Sequence, residues 1–317
     1  MAENLQVVDS VGQSIVEKEN QQKNIERLAA QKEIYFVAKR LFFWQLVLTA
    51  FVTVFLTLLD LTLSPLGYSI AWIRGLYGIV IALLDLLLLT PSINQLRQKA
   101  ASIQELFDCE VLGLEWNKIL VGDKPMNEDI KKYSDQHLRR VKSFDKLKSW
   151  YAETIEAVDG AAAKIICQRS NFSYDYSIRK SFIHWVVGIS IAIFVLLAAI
   201  ALFNDVSLRS FVLTVILPFL PVLTLSVKLY NEHGTSIRNL ESLKSHISGL
   251  WSGVVSGTTI NLESPLRQIQ DKIYLNRKSN PLIPERVYDR LRPGLEQQMY
   301  YCVDELVEEY KRAQLKS

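Results

Sequence analysis

Arginine and tyrosine clusters carry the side chains of this sequence that are most suited to binding a charged ligand. Guanidinium groups bind phosphates through paired hydrogen bonds, and tyrosine rings stack on planar bases. The residues with this chemistry are Arg169, Arg179, Arg267, Gln270, Asp271, Tyr274, Arg277 and Arg292. Those from Arg267 to Arg277 recur at helical spacing, so they form one stripe of a helix. A negatively charged nucleotide is the ligand that suits this set of candidate ligand-binding residues.

The same residues have a structural interpretation that needs no ligand. Asp271 lies within the stripe, four residues after Arg267, and its carboxylate can neutralise neighbouring arginines. The clusters would then form a salt-bridge network that ties soluble helices to the rest of the chain. Taken alone, the residues favour this structural role, and ligand binding stays open as the alternative.

No arrangement of side chains in the sequence is typical of a catalytic centre or a metal site. The histidines and the three cysteines are scattered, without zinc-binding spacing. The motifs GxGxxG, GxxxxGK[ST] and GxSxG do not occur. We therefore expect a protein that is not an enzyme and that uses no cofactor or metal. Basic and acidic residues are interspersed at a net charge of +3, which does not favour DNA or RNA as a partner.

Two apolar blocks, 41–94 and 182–230, must position these clusters relative to a membrane. Each block contains two apolar runs of about 20 residues, the length that crosses a bilayer core of about 30 Å as a helix. This pattern predicts an all-α integral membrane protein with four transmembrane helices in two hairpins. Asp60 and Arg74 flank the first turn, so we expect them to form an ion pair that closes the first hairpin.

Three residues within the spans are candidates for a pore or gating role. Asp85 falls near the middle of the second span, where a carboxylate costs about 2.5–3.5 kcal/mol on insertion scales. It is either hydrogen-bonded between helices or exposed to a pore, and the sequence leaves both open. Pro218 and Pro221 fall near the middle of the fourth span, where we expect them to break the helix.

The remaining chain is polar and helical, and the sequence divides it into three further segments. These are an N-terminal helix within 1–40, a helical segment at 95–181, and a stalk with C-terminal helices at 231–317. Apolar residues at heptad spacing predict two stalks that pack on each other. The first contains Ile93, Leu96, Ala100, Ile103 and Phe107, and the second contains Leu240, Leu243, Ile247, Leu250 and Val254.

Shorter patterns predict the helices of these segments. We expect helices at about 126–150, 152–168 and 263–278, and disordered or loosely helical chain at 1–20. A short helix that leads to Pro293, followed by a separate amphipathic helix, would end the chain.

The distribution of basic residues predicts the orientation of the spans. All but three of the 36 Lys and Arg residues lie in 1–40, 91–181 and 231–317, and the exceptions are Arg74, Arg209 and Lys228. Basic residues favour the cytoplasmic side of a membrane. Both termini and the middle segment are therefore expected in the cytoplasm, where the middle and C-terminal segments build a helical cytosolic domain.

Several strings, in order along nearly the whole chain, resemble a known family. They are LAAQKEIYFVAKR, KAASIQELFDCEVLGLEWN, LKSWY, ICQRSNFSYDYSIRKSF and SPLRQIQDKIYLNRKSNPLIPERVYDRLR. Together with four spans in the matching places, they resemble the SMODS-associating four-transmembrane effectors, pore-forming proteins of bacterial cyclic-oligonucleotide anti-phage (CBASS) systems. In one departure, Pro284 is followed by Glu285, Arg286 and Val287, where family members often carry aromatic residues.

This resemblance implies a function that composition and spacing do not establish. A synthase encoded nearby would make a cyclic di- or oligonucleotide, and the effector would bind it with its cytosolic region. It would then oligomerise or rearrange in the bacterial inner membrane, make the bilayer permeable and cause abortive infection. A constitutive channel or transporter and a non-enzymatic membrane scaffold are the alternatives.

Overall fold

The computed structural model describes residues 10–172, 175–204, 206–258 and 261–315, without the side chains of 65, 291–293 and 296. Within these residues the regular structure is helical, and no strand occurs. The helices are α1 (Val11–Glu19), α2 (Gln22–Leu63), α3 (Ala71–Leu112), α4 (Lys118–Val121), α5 (Asn127–Val141), α6 (Gly160–Ser170), α7 (Asp175–Phe203), α8 (Leu208–Val255), α9 (Glu263–Ser279) and α10 (Glu285–Gln314).

Four helices, α2, α3, α7 and α8, are long and apolar enough to cross a membrane. They form two hairpins, α2 with α3 and α7 with α8, and the prediction of an all-α membrane protein with four spans is confirmed. Three of the spans contain a turn of π-helix, at Val47–Val52, Asp85–Leu89 and Val212–Ile216. Such turns widen a helix locally and free carbonyls for other partners.

The predicted ion pair at the first turn is confirmed. Arg74 Nη2 lies 2.9 Å from Asp60 Oδ2, and both side chains are buried. The other oxygen of Asp60 accepts the N–H of Ile70 at 2.8 Å. The carboxylate therefore caps the start of α3 as well as closing the hairpin.

The ends of α3 and α8 beyond the membrane form the stalks that the heptads predict. Phe107 on α3 and Ile247 on α8 have no exposed surface. The expectation that the stalks pack mainly on each other is wrong, because α3 lies chiefly against α2 and α9, while α8 lies chiefly against α7 and also contacts α9. Helix α9 thus contacts both stalks, and the apolar face that the sequence predicts for it supplies the contact surface.

Residues 10–20 belong to the core of the extramembrane domain, contrary to the expectation of loose structure. Ile15 on α1 is 1% exposed and packs in the main apolar cluster. Gly12 passes so close to the chain that an added Cβ would lie 1.9 Å from the carbonyl oxygen of Ile155. Only glycine permits this approach, which fixes α1 against the Glu153–Ala157 turn.

The middle segment contains shorter helices than predicted, for local reasons. Helix α5 ends at Val141 because Lys142 adopts a left-handed conformation. Ser143 Oγ then accepts a hydrogen bond from the backbone amide of Asp145, which starts a turn. Two 3-10 turns, Asp145–Leu147 and Glu153–Ala157, lie on either side of the predicted boundary between the helices at 126–150 and 152–168. The next helix begins only at Gly160, where the Asp159 side chain accepts its amide.

Proline has less effect on the helices than the sequence suggests. Helix α10 is continuous from Glu285 to Gln314 and includes Pro293. Helix α8 likewise continues through Pro218 and Pro221, and the expected break is wrong. The irregularity lies in the π-helical turn just ahead of them, where a widened turn relieves the clash between a proline ring and the preceding carbonyls.

Candidate functional site

A cavity of about 460 Å³ opens in the extramembrane domain between α2, α5, the turns after α5, and the chain around Pro281. Its described lining contains seven basic side chains against two carboxylates. The basic residues are Lys32, Lys39, Arg140, Lys146, Lys148, Arg179 and Arg277. The carboxylates belong to Asp175 and Glu285. This imbalance favours an anionic ligand, since a cluster of positive side chains raises the local potential.

Aromatic rings line the same cavity, and cations lie over three of them. The aromatic residues are Tyr35, Phe36, Trp150, Tyr288 and Tyr300. Three cation–ring distances are short: Lys32 to Trp150 at 5.1 Å, Lys39 to Tyr288 at 4.5 Å, and Arg140 to Phe36 at 3.9 Å. These are cation–π contacts. The cavity therefore combines phosphate-binding cations with ring faces on which planar groups can stack.

Helix α2 contributes one wall through a regular pattern. Lys32, Tyr35, Phe36 and Lys39 recur at i, i+3, i+4 and i+7, so one face of the helix carries two cations and two rings. This stripe has the same helical spacing as the α9 stripe that sequence reasoning selected, but it has two rings and no carboxylate. It was missed because its residues precede a span and are typical of a membrane boundary.

Arg277 at the end of the α9 stripe lines the cavity. Its Nη1 pairs with the fully buried carboxylate of Asp108, while its Nη2 is buried without a hydrogen-bond partner. Burial opposes the charge, but the Asp108 carboxylate outweighs it and raises the pKa of Arg277 above its ordinary value. Arg277 therefore contributes a charged guanidinium to the cavity wall, and Asp108 holds it in place.

Arg179 lies in another part of the wall and is committed to three partners. Its Nε donates to Asp175 at 2.8 Å, and its Nη1 donates to the carbonyl of Pro281 at 2.9 Å and lies 3.3 Å from His233 Nδ1. Because arginine is the donor, the Nδ1 of His233 accepts and carries no proton. The side chain is 5% exposed, so a ligand would have to compete with these contacts to reach it.

The other residues of the α9 stripe form a buried network instead of the cavity. Gln270 donates to Glu105 at 2.8 Å and to Asp108 at 2.9 Å, and Arg267 pairs with Glu105 and Asp271. Tyr274 lies fully buried, 3.5 Å from the hydroxyl of Ser102. Further contacts of the network include Asn117 to Asp271 at 3.0 Å and Gln168 to Gln270 at 3.2 Å.

The structural interpretation of the stripe therefore holds for Arg267, Gln270, Asp271 and Tyr274. Their network fixes α9 against α3, and Arg277 at its end alone reaches the cavity. Arg169 lies elsewhere, in an open groove of about 850 Å³ beside the end of α8 and the last turns of α10. Arg292 was also predicted, and its side chain lies outside the described residues.

Within the spans, Asp85 lies in a polar cluster. Its carboxylate accepts hydrogen bonds from the amide of Gln45 and, at 3.0 Å, from the hydroxyl of Thr90. The first of the two predicted roles, a hydrogen-bonded carboxylate between helices, describes these contacts. Asp85 is nevertheless only half-buried, so the cluster stays compatible with a role in a pore.

The family model of the SMODS-associating 4TM effector domain matches residues 13–306, which include all four spans and every cavity residue named above. The chain belongs to this family. Among curated proteins, the probable CBASS effector molecule IK1_05631 of Bacillus cereus (strain VD146) is 29% identical over 286 residues, which cover 86% of this chain and 92% of that protein. No match was found among solved structures.

Membership of the SMODS-associating 4TM effector family confirms the resemblance seen in the sequence strings. It agrees with the four helices capable of crossing a membrane, so the chain is a multi-pass membrane effector. The family and the relative together support a role in anti-phage defence. The cavity residues are identified by geometry and chemistry, independently of these comparisons.

Proposed function

We propose that this chain is a CBASS effector that binds a cyclic di- or oligonucleotide in the cavity and then opens a pore. The observation that carries the proposal is the lining of the cavity, with seven cations and five aromatic rings against two carboxylates. The phosphates would pair with the cations and draw them off the aromatic rings. The bases would then stack on those rings. The volume of about 460 Å³ lies within the range of small-molecule sites, about 300–1,000 Å³.

The distribution of basic residues along the chain supports one orientation of the protein in the membrane. We propose that the extramembrane domain and both termini face the cytoplasm of a bacterial inner membrane, because this domain holds nearly all of the basic residues. A messenger made inside the cell would then reach the cavity directly. Copies of the chain would associate in the bilayer, and a cyclic-oligonucleotide synthase would be the functional partner.

A junction at Asn280 and Pro281 connects the cavity to three spans. The backbone carbonyl of Asn280 accepts a hydrogen bond from Arg97 on α3 at 3.0 Å. The side-chain amide of Asn280 donates to Asp175 on α7 at 3.1 Å. Its side-chain oxygen accepts from Ser236 on α8. Arg179, in the cavity wall, donates a hydrogen bond to the carbonyl of the next residue, Pro281. A phosphate that drew Arg179 away from Asp175 and Pro281 would loosen contacts shared by these three helices.

This coupling has an energetic requirement. A ligand shifts the equilibrium toward an open arrangement only by the difference in its affinity for the two states. In the present arrangement three protein groups already bond to the Arg179 guanidinium. An arrangement in which this guanidinium faced the cavity would bind phosphate more tightly, because the phosphate would not have to displace those partners.

Binding and efflux measured on the same preparation test the proposal. The purified 317-residue chain is titrated with 3′,3′-cyclic di-AMP, cyclic di-GMP, cyclic GMP–AMP and cyclic tri-AMP, and then reconstituted in phosphatidylethanolamine–phosphatidylglycerol vesicles that hold a fluorescent dye. We expect one of the nucleotides to bind, to release the dye and to be recovered intact. Release without nucleotide would indicate a constitutive channel, and binding of none would overturn the proposal.

Variants of the lining provide the matched control. Lys148→Ala and Trp150→Ala are expected to weaken binding, while Lys244→Ala removes an exposed cation of α8 outside the cavity and leaves binding unchanged. A lost base–ring stack is worth about 1–3 kcal/mol, or roughly 5- to 150-fold in affinity. Trp150→Phe keeps a ring and should lose less. Equal losses in Lys148→Ala and Lys244→Ala would place the ligand elsewhere.

A further inference from the structure

A polar stripe runs along the inner face of the first span. Gln45, Thr49, Thr53, Thr57 and Asp60 follow one another at spacings of four, four, four and three residues. Four of them are less than 9% exposed, and the hydroxyl of Thr49 is buried. The stripe extends over about 22 Å at a rise of about 1.5 Å per residue, which is most of a bilayer core.

The outer face of the same helix has the opposite character. Its exposed side chains in this region are aromatic, with Phe51 71% and Phe55 56% exposed. Threonine and glutamine are common where transmembrane helices pack, because their side chains hydrogen-bond across the interface. Packing therefore explains this polar face only where each polar group has such a partner.

Two hydroxyls in the middle of the stripe have no hydrogen-bond partner. The Oγ1 atoms of Thr49 and Thr53 are both buried and unpaired, whereas Thr57 donates to the carbonyl of Thr53 at 2.8 Å. An unmade hydrogen bond of a buried polar group costs about 1–3 kcal/mol. Valine has the same shape without this cost, so packing does not account for threonine at these positions.

Carboxylates mark both ends of the stripe. At one end Gln45 donates to Asp85, which also accepts from Thr90. At the other end Asp60 is neutralised by Arg74. The described partners of Asp85 are uncharged, so no described cation neutralises this carboxyl group, and its oxygens would attract cations that enter the row of polar groups.

We propose that this stripe lines a hydrated path for water and small cations through the interior of each protomer, which opens when the spans separate. The inference rests on the proposed function, because it identifies where the permeability would arise. Water entering from either end would satisfy the hydroxyls of Thr49 and Thr53, which have no partner in the closed arrangement. Ions would then pass along the threonines of the stripe, between the end at Asp85 and the end at Asp60.

Cysteine accessibility tests the path. Thr53→Cys and Thr57→Cys are made with Cys302→Ser, which removes the exposed native thiol, since Cys109 and Cys167 are buried. Phe55→Cys is the control because it lies on the same helix and faces outward. The variants, in vesicles, receive a cationic methanethiosulfonate reagent, with and without whichever of the four cyclic nucleotides above releases dye. We expect the stripe cysteines to react only with nucleotide, and Phe55→Cys not to react.

Ion flux provides a second readout on variants that keep the shape of the side chain. Thr53→Val should lower nucleotide-dependent K⁺ efflux several-fold, while Thr62→Val, at an exposed position of the same helix, should leave it unchanged. Asp85→Asn should reduce the preference for K⁺ over Cl⁻. Efflux that occurs with unreactive stripe cysteines and an unaltered Thr53→Val would overturn the inference and leave the proposed function standing. No efflux with any nucleotide would overturn the proposed function, and the inference with it.

Discussion

Arg74 donates a hydrogen bond of 2.9 Å to the backbone carbonyl of Thr214, a carbonyl that Pro218 cannot serve. In an α-helix the amide four residues ahead would bond to this oxygen, and at that position proline has no N–H. The arginine also pairs with Asp60, so one guanidinium joins both hairpins. Pro218 therefore cannot make the α-helical hydrogen bond to this oxygen, and Arg74 of the other hairpin supplies a donor to it while α8 stays continuous.

Removal of the charge at position 74 should destabilise the membrane domain. Arg74→Gln leaves the Asp60 carboxylate buried without its cation, and breaking a buried pair costs about 3–5 kcal/mol. The double variant Asp60→Asn with Arg74→Gln removes both charges and should recover part of the loss. Thermal unfolding in one detergent checks this order, and a double variant less stable than Arg74→Gln would contradict it.

Pro218→Ala should weaken the contact between the hairpins by a different route. Alanine supplies the missing N–H, which competes with Arg74 for the carbonyl of Thr214. We expect a more regular and more stable α8, with nucleotide-dependent dye release reduced relative to the wild type. Arg209→Ala, a change at an exposed site before the same span, is the control, and unchanged release in Pro218→Ala would make the proline a packing residue.

Asn280 should separate ligand binding from pore opening. Asn280→Ala removes the side-chain hydrogen bonds to Asp175 and Ser236, while the backbone contact with Arg97 stays in place. We expect nucleotide binding within a few-fold of the wild type and a large loss of dye release. Ser279→Ala is the matched control, because that exposed hydroxyl bonds only within its own helix. Asn280 also lines the cavity, so a large loss of binding in Asn280→Ala would show that its side chain contacts the ligand directly and would contradict this prediction.

The sequence predicts the features of this fold that depend on periodicity and on the cost of burying charge. Four apolar runs specify the spans, heptads specify the buried faces of the stalks, and the position of Asp60 and Arg74 on either side of a turn specifies their pairing. It does not predict that α9 lies between the stalks, because two apolar seams fit each other as well as they fit a third helix.

The candidate site is harder to predict, since ligand-binding and structural arginines share the same composition. Arg267 and Arg277 lie on one stripe, yet Glu105 holds the first inside a network while the second reaches the cavity. That difference depends on carboxylates of α3 more than 150 residues away in sequence, which periodicity does not connect. Trp150 and Lys148 lie beside 3-10 turns, where no regular pattern indicates which side chains meet.

Glu19 should make the stability of the extramembrane domain depend on pH. Its side chain is 1% exposed, one oxygen accepts the amide of Tyr151 at 2.9 Å, and the other has no partner. Burial raises the pKa of this carboxyl from 4.5 to about 8. The folded chain then holds a proton that the unfolded chain releases, so stability is full below about pH 4.5 and falls as the pH rises to about 8.

Glu19→Gln keeps an acceptor for Tyr151 and removes the titration. We expect the two proteins to have similar melting temperatures at pH 5, and the variant to be more stable at pH 8.5, by a margin on the order of a few kcal/mol. Glu17→Gln, on a less buried turn of the same helix, controls for the loss of one charge. Melting curves of wild type and Glu19→Gln that stay parallel from pH 5 to 8.5 would show that Glu19 is ionised in the folded protein.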